Sequence, residues 1–245
     1  MRDEAALRQI IDGLAKKYSH FYLIPDYYEE EHAERIAACF GDLPVLTGGS
    51  GLMTALGKRI TRLCGMTAEK ELTYERPQKA VLLAGSCSEM TLKQVAYYRE
   101  SGRASMQMDP EKLLSGEMTG EDVLAFLGRQ TGDLVLLYSS DAPENVRRVQ
   151  ETGRERVSEI LESLTAQAAK EALRQGRTRI IVAGGETSGA VTKALGFDSF
   201  YIGKSVAPGV PVMITCIRTD VRLVLKSGNF GQPDFFLKAA EMTAE

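Results

Sequence analysis

Apolar positions change their period several times along the chain, and each change marks an element. Leu7, Ile10, Ile11 and Leu14 recur at helical spacing over residues 3–17, and HFYLI at 20–24 then runs continuously apolar, predicting a short buried strand. A helix near 29–40 follows, then a strand LPVLT at 43–47, a GGSG loop at 48–51 and the helix LMTALGKRITRL. From Thr67 to Gln78 the chain is polar, proline-bearing and without period, so a linker is predicted there. The expected division is an α/β segment over 1–66, a linker over 67–79 and an α/β domain over 80–245.

Beyond the linker the same alternation repeats. AVLLA (80–84) breaks at GSCSEMT and gives way to a helix carrying Leu92, Val95 and Ala96. ASMQM (104–108) reads as strand, Thr119 and Asp122 form a capping box for a helix, and DLVLLY (133–138) is a strand. A long helical pattern from about 154 to 175 precedes RIIVA (179–183), then GGETSG, then a helix ending at Gly196. VPVMIT (210–215) and VRLVLK (221–226) read as neighbouring strands, followed by a glycine loop and a last helix. Continuous apolar strands joined by helices predict a doubly wound α/β fold, a mostly parallel sheet with helices on both faces.

Composition narrows the function. The 245 residues are 44% hydrophobic and 26% charged, with a formal net charge of -3, which argues against a broad nucleic-acid footprint. No apolar run reaches the roughly 18 residues that span a bilayer, and MRDEAALRQI lacks a signal-peptide core, so a cytoplasmic chain with no membrane partner is expected. Four cysteines without CxxC spacing and two histidines, His20 and His32, predict neither a zinc site nor a disulfide framework.

In such sheets ligands bind beyond the carboxyl ends of strands, where the glycine-rich segments fall. Superposing AVLLAGSCS on IIVAGGETS pairs Gly85 with Gly184, one loop design used twice. Gly184 and Gly185 let a phosphate approach the main chain, and the amides opening the next helix lack intrahelical partners. Thr187 and Ser188 add hydroxyls, and Gly189 keeps the helix start uncrowded. Glu186 beside a phosphate would be repulsive unless it coordinates Mg²⁺, accepts from a ribose hydroxyl or faces a lysine. The competing reading is a tight turn with Thr187 or Ser188 as a helix cap. Ser86 and Ser88 bind a ligand or cap the helix at 90–101.

KSGNFGQPDFF opens on Lys226, whose charge would neutralise a phosphate or be solvated; Gly228, Asn229 and Gly231 permit unusual backbone angles, and Pro233 suits a helix start. GGSGLMT fits a dinucleotide fingerprint only in part, because Thr54 stands where the third glycine belongs, which disfavours a dehydrogenase. No GxxxxGK[ST] segment occurs. Lys193, Lys204, Arg147 and Arg148 are surface cations open to an anion, and Pro208-Gly209 reads as a turn.

Taken together, AGSCSEMT (84–91), AGGETSGAV (183–191), APGVP (207–211) and LKSGNFGQPDFF (225–236) resemble the four-carbon acid sugar kinase family in order and spacing. The resemblance implies ATP and Mg²⁺ as cofactors and phosphorylation of the terminal hydroxyl of a small-molecule sugar acid such as threonate, erythronate or a 3-oxo-tetronate. It puts nucleotide contacts at Ser86, Ser88, Gly184 to Gly189, Lys226, Ser227, Gly228, Asn229 and Gly231. Two departures are GGSGL (48–52) for the usual GSAGL, and Gln232 where a third glycine is common. The family's N-terminal substrate-binding domain, with its paired aspartates and the expected catalytic base, has no counterpart in residues 1–40. By this resemblance residues 1–66 are the remnant of an inter-domain region. The chain is thus expected to be a piece of a longer protein, or half of a split one, working with that domain in cis or trans. Self-association stays open, as does the alternative of a non-catalytic nucleotide or sugar-phosphate binding module.

Overall fold

The computed structural model describes residues 4–49, 51–65, 79–142, 144, 145, 148 and 154–245. All of the expected linker except Lys79 lies outside them, as does Arg147. The chain divides into two compact units, Met1–Leu72 and Thr73–Glu245.

The described part of the first unit contains three helices, α1 (Glu4–Lys17), α2 (Glu30–Phe40) and α3 (Gly51–Leu63). The strands expected at 20–24 and 43–47 are not formed: both segments lie outside regular structure. A strand needs a neighbour to take its N–H and C=O groups, and among the described residues no segment of this unit provides one. The described part of the unit is therefore helix and coil where α/β was expected. Its packed centre is small, with Ala33, Ala37 and Ala55 buried and Leu52 and Leu56 leaning on them.

The second unit is built on seven strands: β1 (Ala80–Ala84), β2 (Ser105–Gln107), β3 (Leu134–Tyr138), β4 (Arg179–Ala183), β5 (Phe200–Ala207), β6 (Val210–Thr215) and β7 (Arg222–Lys226). They lie in the order β2-β3-β1-β4-β7-β6-β5. β2, β3, β1, β4 and β7 run parallel, and β6 is antiparallel to both neighbours. Between them run α4 (Glu89–Glu100), α5 (Pro110–Ser115), α6 (Gly120–Arg129), α7 (Arg154–Arg174) and α8 (Gly185–Leu195), and α9 (Phe235–Met242) follows β7.

The continuous apolar runs are explained by burial on two sides. Val81 and Leu83 of β1 face one core with Val123 and Leu127 of α6, Ala168 and Ala172 of α7 and Val191 of α8. Leu82 and Ala84 face the other, with Val95 and Tyr98 of α4 and Phe235 and Phe236 of α9. Leu82 and Leu83 are both fully buried, so each contributes about 1.5–3 kcal/mol to its own core. This is the doubly wound architecture the sequence predicts.

Helix ends follow local chemistry. Thr119 Oγ1 accepts from the Asp122 amide at 3.2 Å while the Asp122 carboxylate accepts from the Thr119 amide at 2.8 Å, completing the expected capping box on α6. Asp109 caps α5, a helix with Pro110 in its first turn that the periodicity does not reveal. β5 is also unanticipated: its residues 201–205 are exposed, and an edge strand with one open side lacks a long apolar run. The Pro208-Gly209 turn does close the β5–β6 hairpin, with Gly209 at φ 75°. No helix among the described residues is long and apolar enough to cross a membrane.

Candidate functional site

Two neighbouring strands send their chains to opposite faces. β1 leads into α4, which packs on the Leu82 face, whereas β4 leads into α8, which packs on the Val182 face. A crevice opens at such a switch point, outside the carboxyl ends of the strands. Its floor is pinned by backbone bonds: the Gly85 and Ser86 amides both donate to the Ala183 carbonyl, at 2.9 and 3.2 Å, and the Ser139 amide donates to the Ala84 carbonyl at 2.8 Å.

GGETSG is helix rather than loop. α8 begins at Gly185, its cap is Gly184 with no side-chain cap bond, and the first intrahelical bond runs from the Ser188 amide to the Gly184 carbonyl at 2.9 Å. Gly185, Glu186 and Thr187 thus form a first turn whose amides precede the ladder, an arrangement that attracts anions. Neither Thr187 nor Ser188 is the helix cap. Gly184 sits at φ 132°, a conformation that disfavours a side chain. A Cβ at Gly85 would stand 2.1 Å from Thr187 Oγ1, so the buried Thr187 hydroxyl nests against the neighbouring loop.

These elements border a cavity of about 430 Å³. Gly85, Ser86, Gly184, Gly185, Glu186 and Thr187 form one wall, all named from the sequence except Gly85's part in the lining. Pro110, Val157 and Leu161 add an apolar wall, and Ser139, Asp141 and Asn145 a polar edge. The Asp141 carboxylate accepts from Asn145 Nδ2 at 2.9 Å and from the Ala142 amide at 2.7 Å. Sequence reading passed over Ser139 and Asp141, although they follow DLVLLY and the strand-end rule applied to GSCS would have found them.

The remaining expected contacts lie behind this wall. Ser88 caps α4, its Oγ accepting from the Thr91 amide at 3.3 Å. The Ser188 hydroxyl is buried with no hydrogen-bond partner among the described residues. The loop after β7 packs on α4: the Gly228 carbonyl accepts from Thr91 Oγ1 at 3.0 Å, and Gln94 Nε2 donates to the Phe230 and Gln232 carbonyls, both at 3.0 Å. A Cβ at Gly228 would come within 2.6 Å of Ser86 Oγ, so this loop touches the cavity wall through Ser86. Ser227, Asn229 and Gly231 belong to the same loop and do not line the cavity.

Lys226 is placed differently from either expectation. It is 1% exposed, and its ammonium donates to the Gly228 carbonyl at 2.6 Å, to Thr91 Oγ1 at 3.0 Å and to the Ser227 carbonyl at 3.3 Å. Burial pushes its pKa down to about 8. The charge ties the glycine loop to α4 and does not reach the cavity.

Among the surface cations, Lys204 pairs with Glu245 and Arg148 with Glu111. Lys193 is exposed. His20 is an exposed coil residue against Tyr22, not a strand residue.

The domain is a doubly wound α/β fold with a helix start, two hydroxyls and a glycine floor at its switch point. Residues 81–236 match the model of the nucleotide-binding C-terminal domain family. The chain belongs to that family, the nucleotide-binding domain of the four-carbon acid sugar kinases. It is 42% identical over 206 residues to a 3-oxo-tetronate kinase of Cupriavidus necator, covering 82% of this chain and 47% of that protein. A 3-oxo-tetronate kinase of Brucella melitensis is 41% identical over 227 residues, covering 90% and 51%. A solved Salmonella typhimurium LT2 protein, provisionally described as a tRNA synthase, is 34% identical with a TM-score of 0.77, covering 97% of this chain and 56% of that one. The chain spans about half the length of the curated relatives it matches.

Proposed function

We propose that residues 80–245 bind ATP, and that the chain supplies the nucleotide-binding half of a kinase acting on the terminal hydroxyl of a four-carbon sugar acid of the 3-oxo-tetronate, threonate or erythronate type. The observation that carries this reading is the crevice between β1 and β4, where the first turn of α8 and the Ser86 and Thr187 side chains border one 430 Å³ cavity. Cavities of this size hold small-molecule ligands.

In this reading the phosphates lie on the Gly185, Glu186 and Thr187 amides, with Ser86 and Thr187 donating hydroxyl hydrogens. Pro110, Val157 and Leu161 offer the apolar contact a nucleobase needs. Asp141 and Glu186 are hard oxygen donors on the same cavity, and one or two carboxylates with phosphate oxygens suffice for Mg²⁺. The donor set therefore fits the cation, which when bound neutralises phosphate charge. Phosphoryl transfer demands little covalent chemistry from the protein. This half accordingly positions the γ-phosphate, while the acid-sugar site and the base that accepts the hydroxyl proton are assigned to the N-terminal substrate domain.

Calorimetric titration with MgATP tests the first part. Saturable binding is expected, and no heat at millimolar nucleotide would sink the reading for this chain. Because the chain spans half of its kinase relatives, the second reading is a module that binds without turnover. It wins if nucleotide binds but no phosphoryl transfer to threonate, erythronate or their 3-oxo relatives follows when the substrate domain is supplied.

A further inference from the structure

The sheet of the second unit has a concave surface at its other end too, and the charge there is opposite to that of the chain as a whole. Leu134 and Arg179, the first residues of β3 and β4, line a groove of about 720 Å³. The β1–β4 crevice lies past the last residues of the same parallel strands, so a strand length of roughly 15 Å separates the two. The chain carries a net charge of -3, yet Arg103, Arg129 and Arg179 border this one groove. Arg103 and Arg129 are exposed, and neither enters a hydrogen bond or ion pair among the described residues.

The loop between α6 and β3 adds to this field by the way it is held. Its carbonyls are taken by cations: Arg177 donates to the Gln130 oxygen at 2.5 Å and to the Gly132 oxygen at 3.1 Å, and Lys79 Nζ donates to the Thr131 oxygen at 2.7 Å. In a trans peptide the N–H points opposite to the C=O. The Thr131 and Gly132 amides therefore face away from those cations, and they have no acceptor among the described residues. Gln130, Thr131 and Gly132 all line the groove. Behind it Arg177 is 1% exposed, while Arg179, 8% exposed, is anchored to the Ala240 carbonyl at 2.5 Å. Burial lowers the pKa of both arginines, against the opposing pull of Asp133. An anion in the groove thus meets positive charge that water screens poorly.

Two carboxylates, Asp133 and Glu241, share the lining. Ionised, they only accept hydrogen bonds, so they repel a bare anion and suit hydroxyl groups. Forked guanidinium donors match the oxygens of a phosphate group. We infer that this groove is a second small-molecule site, one that takes a hydroxyl-bearing phosphate ester. The phosphate lies on Arg103, Arg129 and the Thr131 and Gly132 amides, and the hydroxyls lie on Asp133 and Glu241. Because the groove and the crevice are at opposite ends of the strands, the ester binds without displacing nucleotide.

Calorimetric titration of this chain with 3-phosphoglycerate and with glucose 6-phosphate at low salt, with and without MgATP, tests the site. Saturable one-to-one binding of at least one ester is expected, with the same affinity in both conditions. Arg103→Ala and Arg129→Ala should each weaken it by about tenfold and, because both side chains are exposed, leave urea unfolding unchanged. Lys170→Ala, which removes an exposed charge from α7, should leave ester binding as it is. Failure of both esters to bind at millimolar concentration overturns the inference, as does an equal loss on Lys170→Ala, which would mark diffuse charge attraction. Inorganic phosphate binding as tightly as the esters overturns the assigned class, since the carboxylates would then read nothing. Displacement of the ester by MgATP would put it in the nucleotide crevice and overturn the second site. The titration without nucleotide is read by itself, so it fails or succeeds independently of the ATP reading.

Discussion

Lys226 shows how one residue's role depends on which way its side chain leaves a strand end. Its type and position, a charge closing an apolar strand, suggested a phosphate partner, and nothing in the local pattern says that three oxygen acceptors from the next turn and α4 surround it. Those acceptors come from Thr91, some 135 positions away, and from Ser227 and Gly228. Because its pKa falls to about 8 from an ordinary value of 10.5, the folded state releases this proton before the unfolded chain does. The unfolded state then binds more protons between those values, so this group adds stability as pH rises through that window and costs stability below it. Urea unfolding of the wild type and K226M between pH 7 and 10 should show the difference between them growing in the wild type's favour as pH rises. A difference independent of pH would contradict the buried ammonium. K226M should also loosen the Gly228 loop against Ser86 and weaken nucleotide binding by about tenfold, as the loss of a charged hydrogen bond implies.

At the scale of elements, AVLLA, RIIVA and VPVMIT were legible to the residue because each is a continuous apolar run, with Arg179 and Thr215 at strand ends as the polar positions. β5 was not, since an exposed edge strand shows no such run. GGETSG was legible as a phosphate site candidate but misread as a loop: the glycines that suggest a turn are the cap and first residue of α8. That placement makes Gly184 and Gly85 sharply testable. Gly184→Ala forces a side chain onto φ 132° and within 2.9 Å of Thr187 Oγ1, and should cost about 1–3 kcal/mol in urea unfolding and abolish detectable MgATP binding. Gly85→Ala crowds the same hydroxyl, and Gly85→Ala with Thr187→Ser should recover stability only if the Thr187 methyl is what blocks the shift. Thr119→Ala offers a contrast on α6, remote from the cavity lining. Losing its capping box should cost about 1 kcal/mol and leave the MgATP titration unmoved.

At the scale of the molecule, the two units differ in how much of their stability they generate themselves. The second buries two full cores on either side of a seven-stranded sheet, while the described part of the first has three buried alanines at its centre with Leu52 and Leu56 against them, and leaves Tyr22, Ile24 and Val45 exposed. Here the sequence misled for a physical reason: HFYLI and LPVLT have strand composition, but a strand is a property of a pair, and composition cannot say whether a partner is at hand. The same imbalance predicts how the chain melts. Calorimetry should resolve a cooperative transition for residues 73–245 and a weak or non-cooperative loss of α1 to α3 at lower temperature. MgATP at 100 times its dissociation constant should stabilise the cooperative transition by about 2.7 kcal/mol and leave the weak one in place, because only the second unit holds the crevice between β1 and β4. A weak transition that responds to nucleotide alone would mean that the first unit contributes to the nucleotide site, and the crevice would then have to be extended beyond the residues of α7, α8 and the strand ends that now border it.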